Sequence, residues 1–255
     1  METIGPYRAD VFNDILGLGD SNKAFQSQNG PAVIDSPMRD LLFQHQVTHI
    51  FGVCLVHRHF PLKNNEILVE VNGTSTAWEV SELQPSLPGK PIQCYKKPGG
   101  LVKPHCWTVD SNGLFRPYEF FFEPFGANAT PDHGTDHDLQ EIVAKKKDFF
   151  LQFCDLLDRH RLRGIVGLRL LHRNEINKAM VEVSEKLANI TFPLPPGFDL
   201  AQLSSVNGLE ATWAYTCQNE ASADRGDRPG TQVPTSFCIT ACLLKTHVKI
   251  HYSSS

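Results

Sequence analysis

Hydrophobic positions follow the two-residue period of β-strands in several segments of the chain. Residues 66–71 and 74–80 alternate around an Asn-Gly dipeptide, which supplies the positive φ angles of a tight turn. The segments 105–109 and 114–122 flank a second polar, glycine-containing turn. Both patterns predict β-hairpins.

Other segments are apolar on both faces or carry long runs of strand-forming residues. Residues 47–60 and 165–171 carry apolar residues on both faces, which is typical of strands covered on both sides. Residues 209–217 and 236–252 predict two further long strands.

Helical spacing occurs in three places. It predicts a short helix near 37–46 and a long amphipathic helix that begins near Asp136 or Asp138 and ends at Gly164. A third helix is predicted over 175–190, with an apolar face that would pack on the sheet.

These elements predict an α+β fold: a mixed, largely antiparallel β-sheet with hairpins and two long packed helices. With 255 residues, of which 41% are hydrophobic, we expect one globular domain over 1–255. A proline-rich passage at 85–104 predicts an irregular loop, and a polar stretch at 219–235 predicts a mobile one.

Charge and cysteine content narrow the function classes. A net charge of −4 disfavours nucleic acid as a partner. No apolar run reaches 18 residues and the first thirty residues carry no signal-peptide pattern, so neither membrane insertion nor secretion is expected. Seven cysteines, an odd number, predict reduced thiols and a cytoplasmic protein.

The two predicted apolar strands, in 47–60 and 165–171, are each followed or ended by a similar His-Arg sequence. Residues 52–58 and 167–173 share Gly, Leu, His and Arg at the same offsets. If the strands were parallel neighbours, His57, Arg58, His172 and Arg173 would converge at one edge of the sheet, where open α/β sheets place ligands. The alternative is a chance resemblance between apolar strands that end in basic residues.

The sequence His57-Arg58-His59 is the strongest candidate for a metal site. On an extended chain both imidazoles point to one side with Cβ atoms roughly 6.5–7 Å apart, close enough to bind one ion. Two histidines and a carboxylate would suit Zn or Fe(II). Candidates for the third ligand are His172, Glu66, Glu70, His105 and Glu119. The alternative is a pair of surface histidines at a strand end.

The sequence contains no motif for serine-hydrolase chemistry or for nucleotide binding. The chain lacks G-x-S-x-G, which disfavours a serine hydrolase, and it lacks the glycine-rich motifs that bind dinucleotides and nucleoside triphosphates. Arginines beside histidines could instead bind an anionic substrate for cofactor-free acid/base chemistry.

The sequence therefore predicts a small-molecule enzyme of lyase, isomerase or oxygenase type, acting on a small anionic or apolar organic substrate. His57, Arg58, His172 and Arg173 are its predicted catalytic residues, and His57 and His59 its predicted ligands for Zn or Fe(II). Two alternatives remain open: a cofactor-free isomerase or cyclase, and a non-catalytic scaffold that uses its long loops for interaction.

Overall fold

The computed structural model describes residues 3–86, 92–125, 136–171, 180–193, 208–219 and 232–243. The α-helices are α1 (Ala9–Asp14), α2 (Leu18–Ser27), α3 (Gly30–Val33), α4 (Arg39–Gln44), α5 (Asp136–Lys145) and α6 (Lys147–Arg159). A π-helical turn over Ile34–Met38 joins α3 to α4, and a 3-10 turn covers Val80–Glu82.

The strands are β1 (Phe51–Leu55), β2 (Glu66–Val71), β3 (Thr74–Glu79), β4 (Gln84–Pro85), β5 (Tyr95–Lys97), β6 (Gly100–Val109), β7 (Phe115–Pro124), β8 (Val166–Leu170), β9 (Met180–Glu185), β10 (Ala188–Pro193), β11 (Gly208–Asn219) and β12 (Gln232–Leu243).

All these strands belong to one curled, mixed sheet. Their order is β4-β5-β6-β7-β2-β3-β10-β9-β12-β11-β1-β8, and β8 also pairs with β6. That additional pairing joins β8, at one end of the order, to β6, so the strands from β6 to β8 form a closed ring and β4 and β5 extend beyond it. The pairs β2–β7 and β9–β12 are parallel, whereas the hairpins and the pair β1–β8 are antiparallel.

The outer face of β1 packs on helices. Phe51, Val53 and Leu55 belong to the main hydrophobic core together with Phe149 and Leu157 of α6. The rings of Phe51 and Phe149 stack with centroids 5.9 Å apart. Because side chains alternate along a strand, the residues between them face the opposite side.

The inner face of β1 contacts strands across the ring. Cys54 and Val56 pack in a second cluster with Leu68 of β2, Cys106 of β6 and Tyr118 of β7. Beside this apolar cluster the ring is lined by polar residues, and these form the site described below.

Both predicted hairpins are confirmed, as β2–β3 and β6–β7. The predicted irregular loop at 85–104 is wrong where β5 and the start of β6 form, because these segments pair with each other at the edge of the sheet. The predicted loop at 219–235 falls largely on 220–231, which lies outside the described residues.

The predicted helix over 175–190 is wrong from 180 onward, where β9 and β10 form a hairpin. Lys186 occupies its turn with φ of 53°. Pairing with β3 and β12 outweighs the helical spacing of the apolar residues. The predicted long helix ending at Gly164 is interrupted at Lys146, between α5 and α6. Two long packed helices are therefore not confirmed.

The two similar apolar strands are neighbours, but they are antiparallel. Phe51 of β1 lies opposite Leu170 of β8, and Leu55 lies opposite Val166. Their carboxyl ends therefore lie at opposite ends of the pair, and the parallel arrangement that would bring the two His-Arg pairs together is wrong. His172 and Arg173 lie outside the described residues.

Candidate functional site

Polar side chains from seven strands contact one another on the inner face of the ring. They are Glu70 (β2), His105 (β6), Glu119 (β7), Arg169 (β8), Glu182 and Ser184 (β9), Asn189 (β10) and Cys242 (β12). Burying charged groups is costly, and hydrophobic residues of similar volume in their place are often at least as stabilising. Such a cluster is therefore a candidate for function.

His57 and His59 enter this cluster from the segment after β1. The chain stays extended there because Arg58, between them, forms a parallel bridge with Gly17. Both imidazoles thus point the same way, and their rings meet edge to face with centroids 4.7 Å apart. Each ring nevertheless has different partners.

His57 joins two residues that could share a metal ion with it. Its Nε2 lies 3.4 Å from Sγ of Cys242, and that sulfur lies 2.8 Å from Oε2 of Glu182. The three donor atoms lie within 4.8 Å of one another, and all three residues are buried. Nitrogen, sulfur and oxygen ligands around one tetrahedral Zn²⁺ are about 3.4–3.6 Å apart, so the group needs only small shifts to hold one.

The backbone prepares His57 to act as a ligand. Its Nδ1 lies 2.8 Å from the carbonyl oxygen of Leu55, which can only accept a hydrogen bond. Nδ1 therefore carries the proton, and the lone pair of Nε2 faces Cys242. Burial, followed by the charge of His59, lowers the pKa of His57. The imidazole is neutral at pH 7, the form that binds metals.

The thiol of Cys242 is protonated in the metal-free cluster. Burial, and next the negative charge of Glu182, raise its pKa well above the usual value. The thiol donates a hydrogen bond to Glu182, which also accepts one from the hydroxyl of Thr191 at 3.4 Å. A divalent cation between sulfur and carboxylate would reverse this effect, because a coordinated thiol loses its proton.

His59 forms an ion pair on the other side of the cluster. Its Nε2 lies 3.5 Å from Oε1 of Glu119, and its Nδ1 lies 3.0 Å from Oγ of Ser184. Burial alone would lower the pKa of His59, but the hydrogen bond to Glu119 and the charge of Glu182 raise it overall. Burial would raise the pKa of Glu119, but the hydrogen bond and charge of His59 lower it.

Arg169 links the metal-ligand candidates to a further pair. Its guanidinium lies 3.9 Å from Glu182 and 3.9 Å from Glu70, and Glu70 lies 3.8 Å from Nδ1 of His105. The positive charge of Arg169 thus lies near two carboxylates, and it offsets part of the desolvation cost of buried Glu182 and half-buried Glu70.

The cluster opens into a pocket of about 320 Å³. Residues of the site form one wall, and the first turn of α2 forms another. Its lining residues are Gly17, Leu18, Gly19, Asp20, Arg58, His59, Glu182, Ser184, Asn189 and Cys242. A small molecule in this pocket would touch Glu182 and Cys242, two of the three metal-ligand candidates, and the Ser184–His59 pair.

The structure brings together only part of the predicted site. Arg58 and His59 line the pocket, and His57 contacts Cys242, which also lines it. Arg58 donates a hydrogen bond to the carbonyl oxygen of Asn13. Among the suggested third ligands, Glu119 contacts His59 but is not part of the three-donor group. Glu66 instead pairs with Lys63.

Sequence reasoning missed Glu182 and Cys242. Glu182 fell in a segment predicted to be helical, and Cys242 looked like an ordinary apolar strand cysteine. Their alignment in the parallel pair β9–β12, where Cys242 lies opposite Glu182, is a tertiary fact. Alternation of the run Met180–Glu185 was the signal that could have identified a strand with Glu182 and Ser184 on the same face.

Comparison of the chain with protein-family models, curated proteins and solved structures gives no match. Among the described residues, no helix has the length and apolar character needed to cross a membrane. None of the five cysteines whose side chains the structure describes forms a disulfide: Cys54, Cys94, Cys106, Cys154 and Cys242. The geometry of the site is therefore the ground for a functional assignment.

Proposed function

We propose that the protein is a metal-dependent enzyme acting on a small organic molecule, with Zn²⁺ held by His57, Glu182 and Cys242. The observation that supports this is the buried group of three different donor atoms, of which those of Glu182 and Cys242 belong to residues that line a pocket. A thiolate, an imidazole and a carboxylate form a donor set suited to Zn²⁺. Fe(II) enzymes commonly use two histidines and a carboxylate, and the three-donor group contains one histidine.

Three protein ligands leave a fourth position for water or substrate, which is characteristic of catalytic zinc sites. Glu182 and Cys242 both line the pocket, so that position would face it. A bound Zn²⁺ would polarise a carbonyl group or lower the pKa of a bound water. Such chemistry fits lyase, isomerase or hydrolytic reactions better than an oxygenase, because zinc has no redox activity.

Other residues of the pocket would then handle substrate. Arg58 at the wall offers a guanidinium to an anionic group, and His59 lies where it could transfer a proton. Catalytic roles for His172 and Arg173 stay predictions. A cytoplasmic location, which we also propose, would keep Cys242 reduced and able to bind metal.

The test is metal content. The full-length, untagged protein is treated with chelator, reloaded with Zn²⁺ or Fe(II), desalted and analysed by inductively coupled plasma mass spectrometry. We expect about one zinc per chain in the wild type and none in Cys242→Ala or His57→Ala. Cys94→Ala, which removes a buried cysteine outside this group, is the matched control and should keep its zinc.

Zinc should also stabilise the fold. A ligand present at about 100 times its Kd adds about 2.7 kcal/mol to the free energy of unfolding. For a chain of this size that raises Tm by roughly 5–11 °C. A protein that takes up no metal under any loading condition would refute the proposal and leave cofactor-free acid/base chemistry as the alternative.

A further inference from the structure

A second group of reactive side chains faces the same pocket. Ser184 of β9, His59 after β1 and Glu119 of β7 form a continuous hydrogen-bonded series. Oγ of Ser184 lies 3.0 Å from Nδ1 of His59, and Nε2 of the same ring lies 3.5 Å from Glu119. The three residues are far apart in sequence and meet only because the sheet closes into a ring.

We propose that Ser184 is a nucleophile, that His59 is its general base, and that Glu119 orients the imidazole, so that the pocket hydrolyses small carboxylic esters. A hydroxyl, an imidazole and a carboxylate in this order are the parts of a serine-hydrolase triad, which is recognised by geometry and roles rather than by position in the sequence.

The position of the protons favours this assignment. At a pH above its raised pKa, His59 is neutral and acts as a base. Glu119 then accepts a hydrogen bond from Nε2–H of His59, and the lone pair of Nδ1 faces Ser184. The hydroxyl of Ser184 has one proton and two acceptors in reach, Nδ1 of His59 and Oδ1 of Asn189 at 3.1 Å. Rotation about its Cβ–Oγ bond moves that proton from Asn189 to the base.

A nucleophilic site requires an accessible nucleophile and a firmly held base, and the burial of the three residues meets both requirements. The side chains of His59 and Glu119 are only 4% and 14% exposed, so their relative position is fixed by packing. Ser184 is half-buried and lines the pocket, where a substrate can reach Oγ. The base and the orienting carboxylate are therefore held rigidly, and the nucleophile is accessible.

The pocket also offers partners for a developing negative charge. Asn189 is 2% exposed, lines the pocket and lies beside Oγ of Ser184. After rotation of its amide, Nδ2 donates to the oxygen of a tetrahedral intermediate, a role that side-chain amides perform in other oxyanion holes. The first turn of α2 also lines the pocket, but the carboxylate of Asp20 in that turn offsets the partial positive charge of the helix N-terminus, so the role falls to Asn189.

The reaction balances without any further reagent. Oγ of Ser184 attacks the ester carbonyl carbon while its proton passes to Nδ1 of His59. The bond between carbonyl carbon and alkoxy oxygen breaks, and His59 protonates the leaving alcohol. Water then attacks the acyl group on Ser184 as His59 accepts its proton, and the acid is released while that proton returns to Oγ.

This activity does not rest on the proposed zinc site. The absence of G-x-S-x-G disfavoured a serine hydrolase, because that motif marks a nucleophile on a sharp turn between strand and helix. Ser184 instead stands within a strand, on the face that Glu182 shares, so the usual motif would not detect it. The test can therefore be made on chelator-treated protein.

The experiment is covalent labelling of the full chain by a fluorophosphonate probe in the presence of EDTA, with peptide mapping by mass spectrometry. We expect the probe on Ser184 and no labelling in Ser184→Ala. The control Ser81→Ala removes an exposed serine on the 3-10 turn and should label like the wild type. Labelling elsewhere, no labelling, or labelling that requires zinc would overturn the proposal.

Variants of the general base His59 and of the orienting residue Glu119 distinguish a loss of activity from a loss of folding. Glu119→Gln and His59→Gln should slow labelling, and hydrolysis of p-nitrophenyl acetate, by about 10²-fold or more while Ser184 stays in place. Circular dichroism verifies that each variant is folded. Folded variants that label as fast as the wild type would show that Ser184 is not activated by His59 and would overturn the proposal.

Discussion

Removing the charge of His59 or of Glu119 should reveal a strong coupling between them. At the observed separation of 3.5 Å, and with an effective dielectric constant of about 20, the Coulomb attraction is about 5 kcal/mol. Desolvation of the two buried groups offsets most of it. We expect a net coupling of about 1–3 kcal/mol in the double-mutant cycle of His59→Gln and Glu119→Gln.

The sign of the pH dependence follows from the two pKa shifts. The pKa of His59 is raised above 6.5, so its contribution to stability is fully present below pH 6.5 and is lost as pH rises through the raised value. The pKa of Glu119 is lowered below 4.5, so its contribution is present above pH 4.5 and is lost as pH falls through the lowered value. The coupling should be largest between these limits.

Urea unfolding of the metal-free protein measures this coupling, with tryptophan fluorescence as the signal. The four proteins of the cycle are compared at pH 6 and at pH 9, and the coupling should fall at pH 9. His49→Gln, which changes an exposed histidine before β1, is the control and should shift stability by less than about 0.5 kcal/mol. Additive costs at pH 6, within about 0.5 kcal/mol, would refute the ion pair.

Three further outcomes are expected. Zinc binding should release about one proton, from Cys242, as seen by calorimetry in buffers of different ionisation enthalpy, and Cys242→Ala should release none. Gly167→Ala should destabilise the fold by about 1–3 kcal/mol in urea unfolding, because its Cβ would collide with the carbonyl oxygen of Trp107 where β8 meets β6; unchanged stability would contradict that packing. Leu157→Ala, at a fully buried position, should cost about 2–5 kcal/mol by the same assay, whereas Leu151→Ala, 41% exposed, should cost far less.

Local patterns predicted the hairpins well because their turns are encoded in a few adjacent residues. Asn72 has φ of 50° and Gly73 has φ of 78°, as the Asn-Gly dipeptide between β2 and β3 led us to expect. The prediction that the imidazoles of His57 and His59 lie on the same side of the extended chain after β1 is also confirmed. These features depend on short stretches of chain.

The long-range features could not be obtained in the same way. Helical and strand spacing of apolar residues compete in 175–190, and only pairing with β3 and β12 decides for strands from 180 onward. The direction of β8 against β1 is likewise set by the whole sheet. The partners of His57 were missed for this reason, because Glu182 and Cys242 come from segments more than a hundred residues away.

The most direct test of the central claim is zinc-edge X-ray absorption of the zinc-loaded protein. The account predicts one sulfur ligand at about 2.3 Å, together with nitrogen and oxygen ligands at about 2.0–2.2 Å. Cys242→Ala should retain no zinc after desalting, so neither the zinc edge nor its sulfur signal should be seen in that variant. A zinc site without sulfur in the wild type, or a sulfur signal that survives in the variant, would contradict the assignment of His57, Glu182 and Cys242 as the metal centre.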